Sequence, residues 1–351
     1  MNVIEIFEKL KKLVLGCRIL LLTHTDMDGA GAAIVLKAIF GDRVDVIHCS
    51  NAVMSRTIKE KTTDPETAEK YDLVLIADIS CTEEDAEYID QQKVVDVVLL
   101  DHHATALALN KYSWACVQPD LLAGSYRDSI VYSLALGLPQ RPAHSSGTSL
   151  VFDYLEYCGL AGMIPNLELA KYLVLLIAGY DTWDWDNLFE RDQRFRNMQT
   201  LFSQYGIDRF EAVFTKRLSD PEGTLFNDTD RDYLLTAESK KEHFLKEIVK
   251  NRIKTGNIRI GERYYSLAYC TVSENMPDVF EYMRANYDVD ICMIDFGTGV
   301  SMRTDKSDVN IAEIVKRVGG GGHPGAGGVR IPSEKRQALL EDVLDAAIYF
   351  N

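Results

Sequence analysis

The chain has 351 residues, 46% of them hydrophobic and 26% charged, and its formal net charge is −15. A chain of this length is long for one hydrophobic core, so two domains are expected. The acidic balance argues against a surface for duplex nucleic acid, which normally needs clustered basic residues. A small phosphorylated substrate, held locally by metal ions and arginine, is compatible with this charge.

Three short aliphatic runs in the first third of the chain are each followed by aspartate or histidine. The runs are 19–22, 73–76 and 97–100, and they precede His24, Asp78 and Asp101-His102-His103. Continuous runs rich in Val, Ile and Leu are typical of strands buried on both faces, and therefore of a parallel α/β sheet. Because the carboxyl ends of parallel strands share one rim, we expect the residues that follow them to converge there.

Helix signals alternate with strand signals from residue 18 to about 186. The small residues 29–33 predict a helix packed closely against a strand. Another helix is expected to begin near Ser146 or Thr148, whose hydroxyl groups suit a helix N-terminus. A third is predicted over 167–178, just before Asp181.

A smaller α/β module is predicted after a linker. Turn formers and acids indicate the linker at 219–230, and a long charged helix is expected from 231 to about 254. The elements predicted next are strands 264–269, 290–296 and 300–303, helix 310–318, the glycine run 319–322, strand 329–331 and a last helix from 333. The boundaries that we expect are 1–218 for the first domain, 219–255 for the linker and connecting helix, and 256–351 for the second domain.

Cysteine spacing and the N-terminus indicate a cytoplasmic protein. The seven cysteines are scattered and contain no C-x-x-C pair, so we expect reduced core thiols rather than a disulfide framework or a zinc site. The N-terminal stretch is acidic and amphipathic, which predicts neither a signal peptide nor a membrane span.

The polar residues at the strand ends have the chemistry of a divalent metal site. His24, Asp26 and Asp28 are spaced so that an extended chain would turn all three side chains one way. The other candidate ligands are Asp78, Asp101, His102, His103 and Asp181. This set is large enough for two cations, and hard oxygen ligands with a minority of imidazoles favour Mn²⁺ or Mg²⁺.

Each of these residues also has a structural interpretation when it is taken alone. A lone aspartate after a buried strand is usually a helix cap or a turn residue, and Asp184 competes with Asp181 for any ligand role. For Trp183, Trp185 and Tyr269 we expect packing in a core rather than stacking on a base. The number of acids and imidazoles at equivalent strand ends is what favours a metal site.

The glycine run has the character of a phosphate clamp. Glycines permit close approach to a ligand, so the amides of Gly321 and Gly322 can line a phosphate pocket to which His323 adds a donor. Upstream, Ser301 and Arg303 would share one face of a strand, and the planar fork of arginine suits phosphate. Alone, such a run is more often a flexible hinge, and Arg303 would be a surface arginine.

These motifs together carry a family resemblance that spans nearly the whole chain. Asp101-His102-His103, with His24 to Gly29, Asp78 and Asp181, resembles the DHH phosphoesterase superfamily. The segment from Gly319 to Pro324 resembles the C-terminal DHH-associated domain of its oligonucleotide-degrading branch. The first motif reads H-x-D-x-D, which is similar to the nanoRNase branch rather than to the commoner H-x-x-x-D-x-D form.

The resemblance implies an α/β fold: an N-terminal parallel-sheet DHH domain with flanking helices, and a smaller C-terminal α/β domain, with the active site in the interdomain cleft. By the same resemblance, His24 and Asp26 would hold one ion, Asp28, His102 and Asp181 a second, and Asp78 both. Asp101 would orient a neighbouring histidine and His103 would face the substrate phosphate as a donor. The implied substrate-binding residues are Ser301, Arg303, Gly321, Gly322 and His323.

The implied activity is that of a Mn²⁺-dependent phosphodiesterase or exonuclease, with Mg²⁺ as the alternative ion, that cuts short oligoribonucleotides to mononucleotides. Water held between two cations would attack the phosphorus in line. The same centre would also serve hydrolysis of pAp, cyclic dinucleotides, polyphosphate or pyrophosphate. A non-catalytic nucleotide sensor and a structural metal scaffold are the alternatives from other classes. The expected partner is a short single-stranded oligonucleotide or small nucleotide, with no membrane and no duplex DNA; association into a homodimer is left open.

Overall fold

The computed structural model describes residues 3–274 and 276–331. These residues divide into two compact units, one that extends to Leu234 and one that begins at Leu235. All seven cysteines lie within the described residues and are unpaired; five are buried, and Cys17 and Cys158 are partly buried. None of the described helices is both long enough and apolar enough to cross a bilayer.

A parallel sheet organises the first unit. Its strands are β1 (Ile19–His24), β2 (Val44–Cys49), β3 (Leu73–Ala77), β4 (Asp96–Asp101) and β5 (Ala115–Val117). They lie in the order β2-β1-β3-β4-β5, and each neighbouring pair is parallel. The three aliphatic runs are β1, β3 and β4, as predicted. The edge strands β2 and β5 were not predicted, because β2 is fully buried only at its two ends and β5 has only three residues.

Helices cover both faces of this sheet. They are α1 (Val3–Phe7), α2 (Met27–Phe40), α3 (Met54–Thr63), α4 (Pro65–Lys70), α5 (Glu83–Gln92), α6 (Ile130–Ala135), α7 (Gly147–Tyr157), α8 (Leu167–Asp181), α9 (Asp184–Asn187), α10 (Gln193–Tyr205) and α11 (Ile207–Leu218). The helices predicted after Gly29, at Ser146 and over 167–178 are confirmed as α2, α7 and α8.

The placement of these helices defines where a ligand would bind. The larger core joins α2, α7, α8, α10 and α11 to one face of the sheet, whereas α3 and α5 supply the core of the other face. After β1 the chain continues into α2 on the first face, and after β3 it continues into α5 on the second face. Strands β1 and β3 are neighbours, so a crevice is expected outside their carboxyl ends, where doubly wound sheets bind ligands.

The segment predicted as a linker packs on the first unit up to Leu234. Asp230 is fully buried and lies 2.7 Å from the Arg217 guanidinium, which also donates to the carbonyl of Leu225. The hydroxyl of Tyr205 donates to Asp230 as well. Turn formers are present as expected, but this buried ion pair holds residues 225–230 against the unit.

The second unit contains a six-stranded mixed sheet among the described residues. Its elements are α12 (Asp228–His243), which begins in the first unit, a π-helical segment Phe244–Val249, β6 (Lys254–Ile260), β7 (Arg263–Thr271), α13 (Met276–Asn286), β8 (Ile291–Asp295), β9 (Gly299–Thr304), α14 (Ile311–Lys316), β10 (Gly321–His323) and β11 (Ala326–Arg330). The strand order is β10-β11-β9-β8-β7-β6, and only β7 and β8 are parallel among these pairs.

Two predictions for the second unit need correction. The charged helix predicted to about 254 ends as α12 at His243 and continues as the π-helical segment, and Lys254 already begins β6. The glycine run does not remain a loop, because Gly321 and Gly322 pair with β11 as the edge strand β10. The helix predicted from Ser333 lies outside the described residues.

Candidate metal centre

Three strand ends bring the predicted residues together at the carboxyl rim of the first sheet. His24 is the last residue of β1, Asp78 follows β3, and Asp101 is the last residue of β4. Asp78 has a positive φ of 62°, which is uncommon for a residue with a side chain, although aspartate adopts it more readily than most. Strained backbone of this kind is concentrated at functional sites.

The first group of candidate ligands consists of His24, Asp26 and Asp78. One nitrogen or carboxylate oxygen from each lies within 4.8 Å of the others. The prediction of an extended H-x-D-x-D segment is wrong: the Asp26 side chain accepts a hydrogen bond from the Gly29 amide and caps α2, and Asp28 lies in the first helical turn. Capping starts the helix at once because it satisfies an otherwise unpaired N–H group. A Cβ at Gly29 would overlap the backbone of His24, so glycine permits this tight turn.

The second group consists of Asp28, His102 and Asp181, again with ligand atoms within 4.8 Å of one another. The Nε2 atom of His102 lies 3.4 Å from a carboxylate oxygen of Asp181 and 3.9 Å from one of Asp28. It also lies 3.2 Å from Asp78, so Asp78 adjoins both groups. Asp184 is not part of the cluster, so the geometry favours Asp181 over its predicted competitor.

The cluster carries negative charge that its described neighbours do not balance. Burial, together with the nearby carboxylates of Asp28 and Asp26, raises the pKa of Asp78 and of Asp181 well above the ordinary value. The ion-pair partners of these carboxylates, among the described residues, are imidazoles. One carboxylate oxygen of Asp78 is buried without a hydrogen-bond partner.

These properties fit divalent cations. A divalent ion compensates clustered buried carboxylates and supplies a partner for the unpaired oxygen of Asp78. Burial lowers the pKa of His102, which favours the neutral imidazole that a metal ion needs. Carboxylates with a minority of imidazoles suit hard or borderline ions such as Mn²⁺ and Mg²⁺.

A helix terminus that the sequence did not identify as functional holds Asp28. The hydroxyl of Ser146 and the amides of Gly147 and Thr148 donate to its carboxylate at 2.7, 2.6 and 3.0 Å. A Cβ at Gly147 would overlap Asp78, so the N-terminus of α7 lies against both aspartates. The Ser-Ser-Gly-Thr sequence marked a helix start, but it did not indicate which carboxylate the helix would hold.

Asp101 and His103 have the relationship that the resemblance implied. The Nδ1 atom of His103 donates to Asp101 at 2.8 Å, and the amides of His102 and His103 donate to the same oxygen. The hydrogen bond to Asp101 raises the pKa of His103, whose side chain is about half exposed. Asp101 therefore orients a histidine that keeps its other ring nitrogen for a ligand.

His48 and Glu211 form a support for His24 that the sequence did not predict. The Nδ1 atom of His48 lies 2.8 Å from the carbonyl oxygen of His24, and its Nε2 atom lies 2.7 Å from Glu211. Both partners are acceptors, so both ring nitrogens must carry protons to satisfy them. Burial opposes this charge, but the hydrogen bonds to Glu211 and His24 raise the pKa of His48.

Three of the five predicted phosphate-binding residues, Ser301, Arg303 and His323, share one face of the sheet in the second unit. Arg303 pairs across the strands with Ala326, and Ala326 with His323, so the side chains in this row point to the same side. Ser301 lies two residues along β9 on that side, and the Arg303 guanidinium lies 4.7 Å from the centre of the Phe280 ring. His323 is exposed, whereas Ser301 and Arg303 are half-buried.

Two models of known protein families match the chain, and each match lies within one of the two compact units. Residues 18–180 match the DHH family N-terminal domain, and residues 273–348 match the DHHA1 domain; together these matches cover more than half of the chain. The chain therefore belongs to the DHH phosphoesterase family. Enzymes of this family are hydrolases that act on phosphodiester bonds, and they use divalent metal ions.

The similar proteins include one curated relative and several solved structures. The chain is 28% identical over 331 residues to oligoribonuclease NrnB of Bacillus subtilis strain 168, which covers 92% of this chain and 75% of that protein. A DHH domain described as a member of the s1p family of ribosomal proteins matches with 14% identity and a TM-score of 0.52, and covers 99% of this chain and 89% of its own. RecJ from Thermus thermophilus in complex with Mn²⁺ matches with 14% identity, a TM-score of 0.47, and coverage of 99% and 54%. At 14% identity the s1p-family structure supports the fold alone.

Proposed function

We propose that this protein hydrolyses short oligoribonucleotides to mononucleotides at a centre of two Mn²⁺ ions, with Mg²⁺ as the alternative. The observation that carries the proposal is the pair of ligand groups joined at Asp78 on the carboxyl rim of the first sheet. The 28% sequence identity to oligoribonuclease NrnB, over 92% of the chain, supports the choice of substrate.

The proposed ligands follow the two groups. His24 and Asp26 would hold one ion, Asp28, His102 and Asp181 would hold the other, and Asp78 would serve both groups. When bound, such cations acidify water and neutralise the charge that develops on phosphoryl oxygens.

The remaining groups of the chain position the substrate and move a proton. Asp101 accepts a hydrogen bond from Nδ1 of His103, which leaves the Nε2 atom of His103 to act as a donor to the phosphate or the leaving oxygen. The α7 terminus fixes the Asp28 carboxylate in one orientation. In the second unit, Ser301, Arg303 and His323, with the amides of Gly321 and Gly322, bind a substrate phosphate.

The test is hydrolysis of labelled RNA of defined length by the full chain, with Mn²⁺, with Mg²⁺ and with EDTA. Release of mononucleotides from a dinucleotide, abolished by EDTA, is expected. Degradation of a long RNA without turnover of the dinucleotide would reject the short-substrate claim. Faster hydrolysis of pAp, a cyclic dinucleotide or pyrophosphate would assign the centre to those substrates instead.

Two aspartate variants separate the proposed centre from a general loss of charge. Asp78→Asn should abolish turnover because Asp78 adjoins both ligand groups. Asp45→Asn removes the same charge from the amino end of β2, where Asp45 contacts Lys70 and Tyr71. It should leave turnover unchanged; equal activity in the two variants would contradict the proposed centre.

A further inference from the structure

Trp183 is an exposed aromatic residue beside the candidate metal centre. Its predicted core packing is wrong, because 49% of its surface is accessible, whereas Trp185 is buried as expected. It lies two residues after Asp181, so their Cα atoms are at most about 7.6 Å apart. Its backbone is left-handed, with φ 63° and ψ 11°. That conformation is a genuine outlier for a bulky side chain.

The backbone around Trp183 is held on both sides. Its amide donates to the carbonyl of Tyr180 at the end of α8, and its own carbonyl accepts from the amides of Asp186 and Asn187 in α9. The exposure of the ring is therefore a property of an ordered turn between two helices. The ring has an aromatic neighbour, since the Trp183 and Trp185 ring centres lie 6.2 Å apart with an angle of 31° between the ring planes.

A buried carboxylate fixes this turn to the segment that leads into α7. Asp184 is 1% exposed and accepts hydrogen bonds from the amides of Ala143 and His144 and from the His144 ring, the last at 2.6 Å. Two residues further on, Ser146 donates to Asp28. The turn that carries Trp183 is thus connected to two members of the second ligand group: it follows Asp181 in the chain, and Asp184 binds the segment whose Ser146 holds Asp28.

We infer that Trp183 is a stacking platform for a nucleobase of the substrate. Exposed aromatic faces beside a phosphate-binding centre stack on bases without selecting among them, because every base has a π-face. Strained backbone persists where the surrounding structure imposes it and is concentrated at ligand sites. This inference rests on the proposed function and narrows it: the substrate class is a nucleotide rather than pyrophosphate or polyphosphate.

The test combines a change in the protein with a change in the substrate. Trp183→Gly removes the ring and keeps the left-handed backbone, which glycine adopts without steric strain. On a dinucleotide it should lower kcat/KM by about 5- to 150-fold, mainly through KM. Trp183→Phe should retain most of the efficiency. Tyr88→Ala, which removes an exposed aromatic ring from α5, is the matched control and should change nothing.

Dinucleotides that lack one base, at either position, complete a double-mutant cycle between the Trp183 ring and a base of the substrate. If Trp183 stacks on a base, the Gly substitution should have little further effect on the dinucleotide that lacks that base. Full additivity with both abasic substrates would overturn the inference.

A binding readout keeps this test separate from the proposed activity. A nucleoside monophosphate should quench the fluorescence of the wild type more than that of Trp183→Phe, and ribose 5-phosphate should not. If no dinucleotide is hydrolysed, the proposed function fails, and the quenching experiment still decides the inference. Equal quenching in the two proteins would then overturn it.

Discussion

Asp78→Asn is expected to stabilise the metal-free protein and to remove the stabilisation that Mn²⁺ provides. Asp78 is 3% exposed, and one of its carboxylate oxygens has no partner among the described residues. An unpartnered buried acceptor costs about 1–3 kcal/mol. The asparagine amide removes the charge and can donate to the neighbouring carboxylates, so the metal-free variant should be more stable by about that amount.

The expected shifts are large enough to measure. For a unit of this size, about 1 kcal/mol changes Tm by about 2–4 °C, which predicts a rise of about 2–12 °C for the variant in EDTA. Free Mn²⁺ at about 100 times its Kd should stabilise the wild type by about 2.7 kcal/mol, and the variant by much less. Asparagine also tolerates the positive φ at this position, so backbone strain does not confound the comparison.

Thermal unfolding of both proteins, in EDTA and in Mn²⁺, is the assay. The control is Asp153→Asn, which removes another buried carboxylate with one unpartnered oxygen. Asp153 lies 3.1 Å from the buried Arg127 guanidinium, so its loss should destabilise the protein by about 3–5 kcal/mol in both conditions. If Asp78→Asn also lowers stability equally with and without Mn²⁺, the reasoning about the unbalanced cluster is wrong.

Three further predictions concern the support of the centre, its proton donor and a buried acid. His48→Gln should weaken Mn²⁺ binding about 10- to 100-fold, as measured by calorimetry. Lys37→Met also removes a partner of Glu211 but leaves the contact with His24 intact, so it should not weaken binding. Equal losses of affinity in the two variants would contradict a role of His48 in supporting His24. His103→Ala should lower kcat about 10²- to 10⁴-fold with little change in KM, and a pure KM effect would exclude proton donation. Burial raises the pKa of Glu156 from 4.5 to about 7, so the free energy of unfolding falls as the pH rises through that interval. In urea unfolding, Glu156→Gln should be more stable than the wild type by about 1–2 kcal/mol at pH 8, allowing for partial exposure, and equally stable below pH 4.5. A difference in stability that does not depend on pH would contradict this prediction.

Local sequence was sufficient to predict the part of the fold that gathers the ligands. The aliphatic runs of β1, β3 and β4 identify buried parallel strands because residues covered on both faces leave no polar alternation. Parallel strands end at one rim, so the convergence of His24, Asp78 and His102 followed without any knowledge of the helices. The resemblance to the DHH family added the division of the candidate ligands into two groups.

Tertiary packing decided what the sequence pattern left open. Ser146 caps α7 in any context, but only the packing of α7 on α2 brings it to Asp28, 118 residues away. The edge strand β2 is only partly buried and has no clear periodicity, so neither it nor the pair of His48 and Glu211 could be predicted. Trp183 looks like a core residue by type, yet backbone hydrogen bonds to α8 and α9 hold it in a turn that leaves its ring exposed. Periodicity reports which face of an element is buried, whereas the partner of a polar group depends on which distant segment packs against it.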